Sequence, residues 1–188
     1  MAGYVLFISE NRIKDSTAIN GNVDAEYLLP YIRIAQKKYM ETKLGTKLFT
    51  KLQDLIIAGD VDLPANSYYK TLLNDYISDS LVQWGFYECI PFLRYKVQNG
   101  NIYQKTSETG EKLSREEAQD LREEVRNTAE FYTDRLINYL CAKNSHFPEY
   151  SQNSGCDEVC PDTNAFYNGM NLETTLPTQS NPYKFNVN

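Results

Sequence analysis

The chain has 188 residues, 41% of them hydrophobic, and a formal net charge of −6. That length supports one ordinary domain with its own core plus some non-globular length. The acidic balance argues against a protein built to grip nucleic acid, which needs clustered Lys and Arg against phosphates. No apolar run approaches the roughly 20 residues of a membrane helix. The apolar start "YVLFI" is too short for a signal core and follows no basic residue. The expectation is a soluble protein, intracellular when it folds, with no membrane partner. Fifteen tyrosines are many for this length. Tyrosine offers a large rigid contact area with a polar tip, which suits both an aromatic core and a protein–protein surface.

In chain order, "YVLFISENRIKDST" reads as a short extended piece and a helical turn. Ser9 is the N-cap, and Ile8 and Ile13 form a hydrophobic staple. The first long helix is expected from a cap at Asp24 to Lys43, with Leu28, Ile32, Ala35 and Tyr39 on one face. Gly45 supplies its stop, and Pro30 bends it or marks its true start. A second helix carries Leu48, Leu52, Leu55 and Ile56 and ends at Gly59. The third starts at Asn66 and shows Tyr69, Leu73, Tyr76, Ile77, Leu81, Trp84 and Tyr87 at helical steps, a face wide enough for a central helix. Pro91 kinks or ends it.

The period then changes. Residues 94–113 contain β-prone stretches on both sides of Asn99 and Gly100, the dipeptide best suited to a tight type I′ hairpin. The faces of that ribbon are polar, so it is expected to project from the body or to pair with something else. The fourth helix opens with a capping box, Ser114 and Glu117. Ala118, Leu121, Val125, Thr128, Tyr132 and Tyr139 follow on its stripe, widened by Leu136 and Leu140. Its first turns crowd carboxylates where the helix dipole favours them.

From Ser145 onward the character changes again. Residues 145–188 hold one lysine, Lys184, against five carboxylates, and Pro, Gly and Asn interrupt every apolar group. Such a segment does not fold alone. It nevertheless keeps aromatic pairs: Phe147 and Tyr150, Phe166 and Tyr167, Tyr183 and Phe185. These are the anchors expected of an arm that orders on a partner's surface. The expected fold is therefore mainly α, a four-helix bundle-like core with one projecting β-hairpin and extended N- and C-terminal arms. The divisions fall at 1–22 for the N-terminal arm, 23–144 for the helical domain, and 145–188 for the C-terminal interaction arm.

Nothing in the sequence reads as catalytic machinery. There is no Gly-rich phosphate loop, no HExxH and no nucleophile elbow, and a single histidine cannot support most acid–base schemes. Adjacent carboxylates such as Glu123 and Glu124 point to different sides of a helix. Asp60 and Asp62 lack the further regular ligands of a calcium loop. The four cysteines are Cys89, Cys141, Cys156 and Cys160. The first two fall in helical segments, where free cysteine behaves as a small apolar residue. Cys156 and Cys160, with His146 and a carboxylate, are a weakly spaced metal set; a local disulfide or incidental cysteines are the other readings. The expectation is no enzyme, no cofactor and no metal.

Six segments together carry a resemblance: "ISEN" at 8–11, "NVDAEYLLPYI" at 22–32, "LGTKLF" at 44–49, "YYKTLLNDYI" at 68–77, "REEVRNTAEFYTDRLINYL" at 122–140 and "FPEY" at 147–150. They resemble the head–tail connector (neck adaptor, or ring) proteins of crAss-like tailed bacteriophages over roughly residues 5–150. The far tail matches nothing in that pattern. The resemblance implies a structural virion protein, assembled in the bacterial host cytoplasm, that forms a dodecameric homo-oligomer ring below the portal protein. Such a ring extends the channel through which genomic DNA passes without sequence-specific binding, and it seats further neck and tail proteins. A ring interface is heterologous, and arms reaching a neighbour are one way to make it. An acidic channel wall repels DNA and leaves its passage free. The contact residues expected on this reading are Phe147, Tyr150, Phe166, Tyr167, Tyr183 and Phe185 on the arm, and Asn99 and Gly100 at the hairpin tip. Two rivals stay open: a monomeric helical assembly factor or adaptor that binds one partner through its tail, and a metal-organised protein.

Overall fold

The computed structural model describes residues 5–19, 23–93, 95–98, 101–104, 114–151 and 161. Within them the chain is mainly helical. It begins with α1 (Glu10–Ser16), where the Ser9 hydroxyl accepts from the Arg12 amide and Ile8 and Ile13 are buried. Next come α2 (Ala25–Ala35), a π-helical turn (Gln36–Met40) and α3 (Glu41–Leu44), which run on as one rod. Asp24 stands at the N-cap of that rod without a side-chain hydrogen bond. Gly45, at φ 76°, breaks it and admits α4 (Thr46–Ala58). Gly59 closes α4 in the left-handed region, its amide bonding back to Ile56 and Leu55.

A second rod follows: α5 (Ser67–Thr71), a π turn (Leu72–Ile77) and α6 (Ser78–Leu93). Pro91 removes one late amide, and the helix stops two residues later. The strands β1 (Tyr95–Gln98) and β2 (Asn101–Gln104) pair antiparallel with Gln98 opposite Asn101. Asn99 and Gly100 lie outside the described residues. The longest helix, α7 (Arg115–Ala142), starts with both halves of the Ser114–Glu117 capping box. A 3₁₀ turn (Asn144–His146) leads to α8 (Pro148–Ser151).

α6 lies at the centre. It packs along α2 and along α7, which scarcely meet each other. Its buried residues, from Ser78 through Trp84, Gly85 and Phe86 to Ile90, surround nearly its whole circumference, as a helix enclosed by others requires. Gly85 is the tightest point: a Cβ there would stand 2.8 Å from Ile13 Cδ1, so α1 closes directly on this helix.

One buried polar hub ties α6 to α7. The Thr133 hydroxyl donates to the Ala129 carbonyl at 2.8 Å and accepts from the Trp84 indole N–H at 2.9 Å. Its single proton is thereby committed, so Ser80 is the donor in their 2.7 Å contact. All three side chains are buried, and each polar atom is satisfied.

A second polar clamp holds the N-terminal segment. Gln36, fully buried in the π turn, accepts from the Phe7 amide and donates to the Val5 carbonyl, both at 2.8 Å. Its amide thus reads the chain on both sides of Leu6 as a neighbouring strand would. Phe7 then meets the Phe49 ring at 5.0 Å. The stretch 5–19, expected to belong to an extended N-terminal arm, is folded onto the body, with Ile8, Ile13 and Ile19 in the core.

Three further expectations are corrected by the packing. The buried residues of α7 are Ala118, Val125, Ala129, Glu130, Thr133, Leu136, Ile137 and Leu140; Leu121 and Thr128 face solvent. The helix is rotated by about one residue from the expected face, because Ala129 and Thr133 suit the close approach to α6 better than their larger neighbours. Cys89 is buried, but Cys141 is exposed. Phe147 and Tyr150, expected on the interaction arm, are core residues at 0% and 6% exposure. The short α8 turns them inward against α4 and the second rod, so the body extends through Ser151.

Replacing the hub oxygen gives a direct check. Thr133→Val leaves the Trp84 and Ser80 donors buried without their acceptor and should lower unfolding free energy by about 1–3 kcal/mol. Urea denaturation should show Thr133→Ser recovering much of that loss, since it keeps the hydroxyl.

Candidate interaction face

The tyrosine surplus divides in two. Much of it works within the chain: Tyr76 stacks on Tyr139 at 4.1 Å, Tyr69 meets Phe147 edge-on at 5.4 Å, and Tyr68 stacks on His146 at 3.7 Å. The Tyr69 hydroxyl donates to Glu149 at 2.8 Å. Burial first, and then that carboxylate, raise its pKa. The contacts of Tyr68 and Tyr69 fasten residues 146–149 to the second rod. His146 is therefore a stacking partner in this structure.

The other part is outward. On α2, Tyr27, Tyr31 and Ile34 follow each other at steps of four and three, so they share one flank. Tyr27 is 49% and Ile34 45% exposed. Phe92 of α6, 54% exposed, stacks on Tyr31 with centroids 4.7 Å apart and joins that flank. Four large apolar side chains thus form a contiguous stripe where α2 meets the end of α6. Side chains of this size left together in water mark an association surface more often than isolated exposed residues do.

The stripe continues into a charged cluster. One turn beyond Ile34, Lys38 Nζ lies 2.9 Å from Glu88 Oε1, and the Tyr39 hydroxyl donates to the same oxygen at 2.6 Å. The Tyr39 ring stacks on Trp84 at 3.8 Å, so this surface ion pair is chained to the buried hub of α6 and α7. Tyr87 meets both rings edge-on, and the Arg122 guanidinium lies 4.1 Å above Tyr87. With Gln119, Glu123 and Arg126, these two residues line an open polar cup of about 150 Å³.

The cluster's electrostatics are set by Glu88. Burial alone would raise its pKa, but hydrogen bonds from Tyr39 and Lys38, with the charges of Lys38 and Arg122, outweigh burial and hold it below the usual carboxylate value. Burial, followed by the bond to Glu88, pushes Tyr39 up to about 12. The carboxylate therefore stays ionised and fixes the orientation of Tyr39 against Trp84. That is a positioning role, and nothing in it requires a substrate.

Of the contact residues expected from sequence, Phe147 and Tyr150 are brought together in the core, away from the face. Phe166, Tyr167, Tyr183, Phe185, Asn99 and Gly100 lie outside the described residues, as do Cys156 and Cys160. Among the described residues no group of three or more His, Cys, Asp or Glu is placed to hold a metal ion. Among them, too, no helix is long and apolar enough to cross a membrane. The sequence reading passed over Tyr27, Tyr31, Ile34 and Phe92. The signal was present on α2, because each apolar residue there directly precedes a core position, Leu28, Ile32 or Ala35. The apolar arc is then broader than one buried face needs.

Comparison with known proteins places the chain in a family. A family profile, described as a family of unknown function (DUF6712), matches residues 40–159, and the chain belongs to that family. No curated protein and no solved structure matches it.

The Glu88 cluster predicts a pH signature. A folded pKa below the ordinary value means that the stabilisation is present above that value and is lost as pH falls through the folded pKa. Glu88→Gln should therefore be less stable than the parent near neutral pH. The gap should narrow as denaturation is repeated toward about pH 3. A gap independent of pH would assign Glu88 a purely packing role.

Proposed function

We propose that this protein is a structural ring subunit of a tailed-phage neck, self-associating below the portal protein to extend the DNA channel and seat further neck and tail proteins. The observation that carries this reading is the stripe in which exposed Tyr27, Ile34 and Phe92 adjoin the half-buried Tyr31, on which Phe92 stacks. A small acidic protein gains nothing in solubility from such a stripe, and covering it removes apolar area from water. The six sequence segments that resemble crAss-like connector proteins supply the ring and the portal. The acidic balance supports a channel that repels DNA and does not bind it.

On this reading the helical body is a four-helix bundle-like core that carries the hairpin outward and extends the C-terminal arm to an adjacent subunit or partner ring. Phe166, Tyr167, Tyr183 and Phe185 are its anchors. The arm begins after Ser151, since Phe147 and Tyr150 are needed in the core.

Light scattering coupled to chromatography tests the proposal. The parent chain should elute as a multi-subunit species. Ile34→Asp should shift it toward monomer while changing unfolding free energy by no more than about 0.5 kcal/mol, as expected at an exposed site. Deleting residues 152–188 should spare thermal unfolding of the body and weaken assembly; unchanged assembly would remove the arm from the account. A parent chain that stays monomeric, alone and with its cognate portal, would point to a helical adaptor that binds one partner through its tail.

A further inference from the structure

We propose that the stripe on α2 and α6 is covered by the outer face of α7 from a second copy of this chain, which makes the interface head-to-tail. The inference rests on the ring reading and names its two surfaces.

α2 and α7 flank α6 and scarcely meet each other, so outward features on the two helices occupy different parts of the subunit. A heterologous interface needs two unlike patches of this kind, whereas a two-fold contact needs one self-complementary patch.

On α7, Phe131 is 60% exposed. It stands two residues before buried Thr133, about 200° around the helix, and so points away from the core. Glu124 and Glu117 precede it at successive heptad positions, with Asp120 beside them, and all three carboxylates are exposed. The outer face of α7 therefore runs from acidic to apolar toward its C-terminus.

The α2 flank runs from apolar to basic toward its own C-terminus. Tyr27, Tyr31 and Ile34 lead to Lys37 and Lys38. These lysines engage Glu41 and Glu88, but the lysine side chains are 55% and 58% exposed and the carboxylates only 13% and 12%. The positive ends are presented outward.

Laid antiparallel, the two helices set Phe131 against the aromatic stripe and the acids against the lysines. The spacing from Tyr31 to the lysines and from Phe131 to Glu124 is six or seven residues in each case, about 10 Å along a helix. Apolar and charged contacts can thus form together, with the exposed lysine ends meeting the carboxylates of α7.

Cysteine cross-linking distinguishes the alternatives. In a background with Cys141, Cys156 and Cys160 changed to Ser, Ile34→Cys and Phe131→Cys are made separately and together, with thermal unfolding checked for each. Mild oxidation of the two single variants mixed should give a cross-linked dimer that neither gives alone. The double variant should give a ladder of higher oligomers. Dimers from either single variant alone would establish a two-fold contact and overturn the proposal. Multi-subunit assembly by light scattering without the mixed cross-link would overturn this interface and leave the ring standing. A chain monomeric throughout would overturn both.

Discussion

The hydroxyl of Thr133 locks the two most extensively packed helices, α6 and α7, together. With two donors to accept and one carbonyl to bond, it fixes the rotation of α7 against α6, and a slip of one residue would bury Tyr132 or Asp134 in its place. Trp84, held by that oxygen, supplies the flat surface on which Tyr39 stacks. Tyr39 in turn delivers its hydroxyl to Glu88, and Glu88 receives Lys38 at the surface. A continuous chain of contacts thus joins the deepest polar group to the edge of the exposed stripe. Low local dielectric makes such a network specific, because any other register leaves polar groups unpaired.

That rigidity bears on what the stripe can do. Tyr31 and Phe92 are stacked before any partner arrives, and Tyr39 is held from two sides. A surface whose aromatic rotamers are already ordered loses less side-chain entropy on association than a flexible one. The internal tyrosine contacts serve another part of the body, where Tyr69 holds Phe147 and Glu149 and so fastens the last described helical turn.

Much of the body was legible in the sequence. The capping box at Ser114 and Glu117, the Ser9 cap with its staple, and the glycine stop at Gly59 are local signals whose physics is complete within a few residues. What escaped depends on longer-range partners. The π turns at Gln36–Met40 and Leu72–Ile77 are set by packing and carry no local signature. Gln36 reads as an ordinary polar helix residue until the chain at Val5 and Phe7 returns to it. Phe147 and Tyr150 sit in a polar, proline-containing stretch, and only the fold reveals the cavity they fill. The stripe was half legible, since Tyr27, Tyr31 and Ile34 broaden the apolar arc of α2, but Phe92 joins them only through tertiary contact.

On the ring reading this face is covered by another copy of the chain, and cryo-electron microscopy of the purified protein, alone and mixed with its cognate portal, images that contact itself. The expected result is a closed ring in which Tyr27, Tyr31, Ile34 and Phe92 are buried between subunits. A lone subunit with no affinity for the portal, or a ring that leaves those four side chains facing solvent, would contradict it.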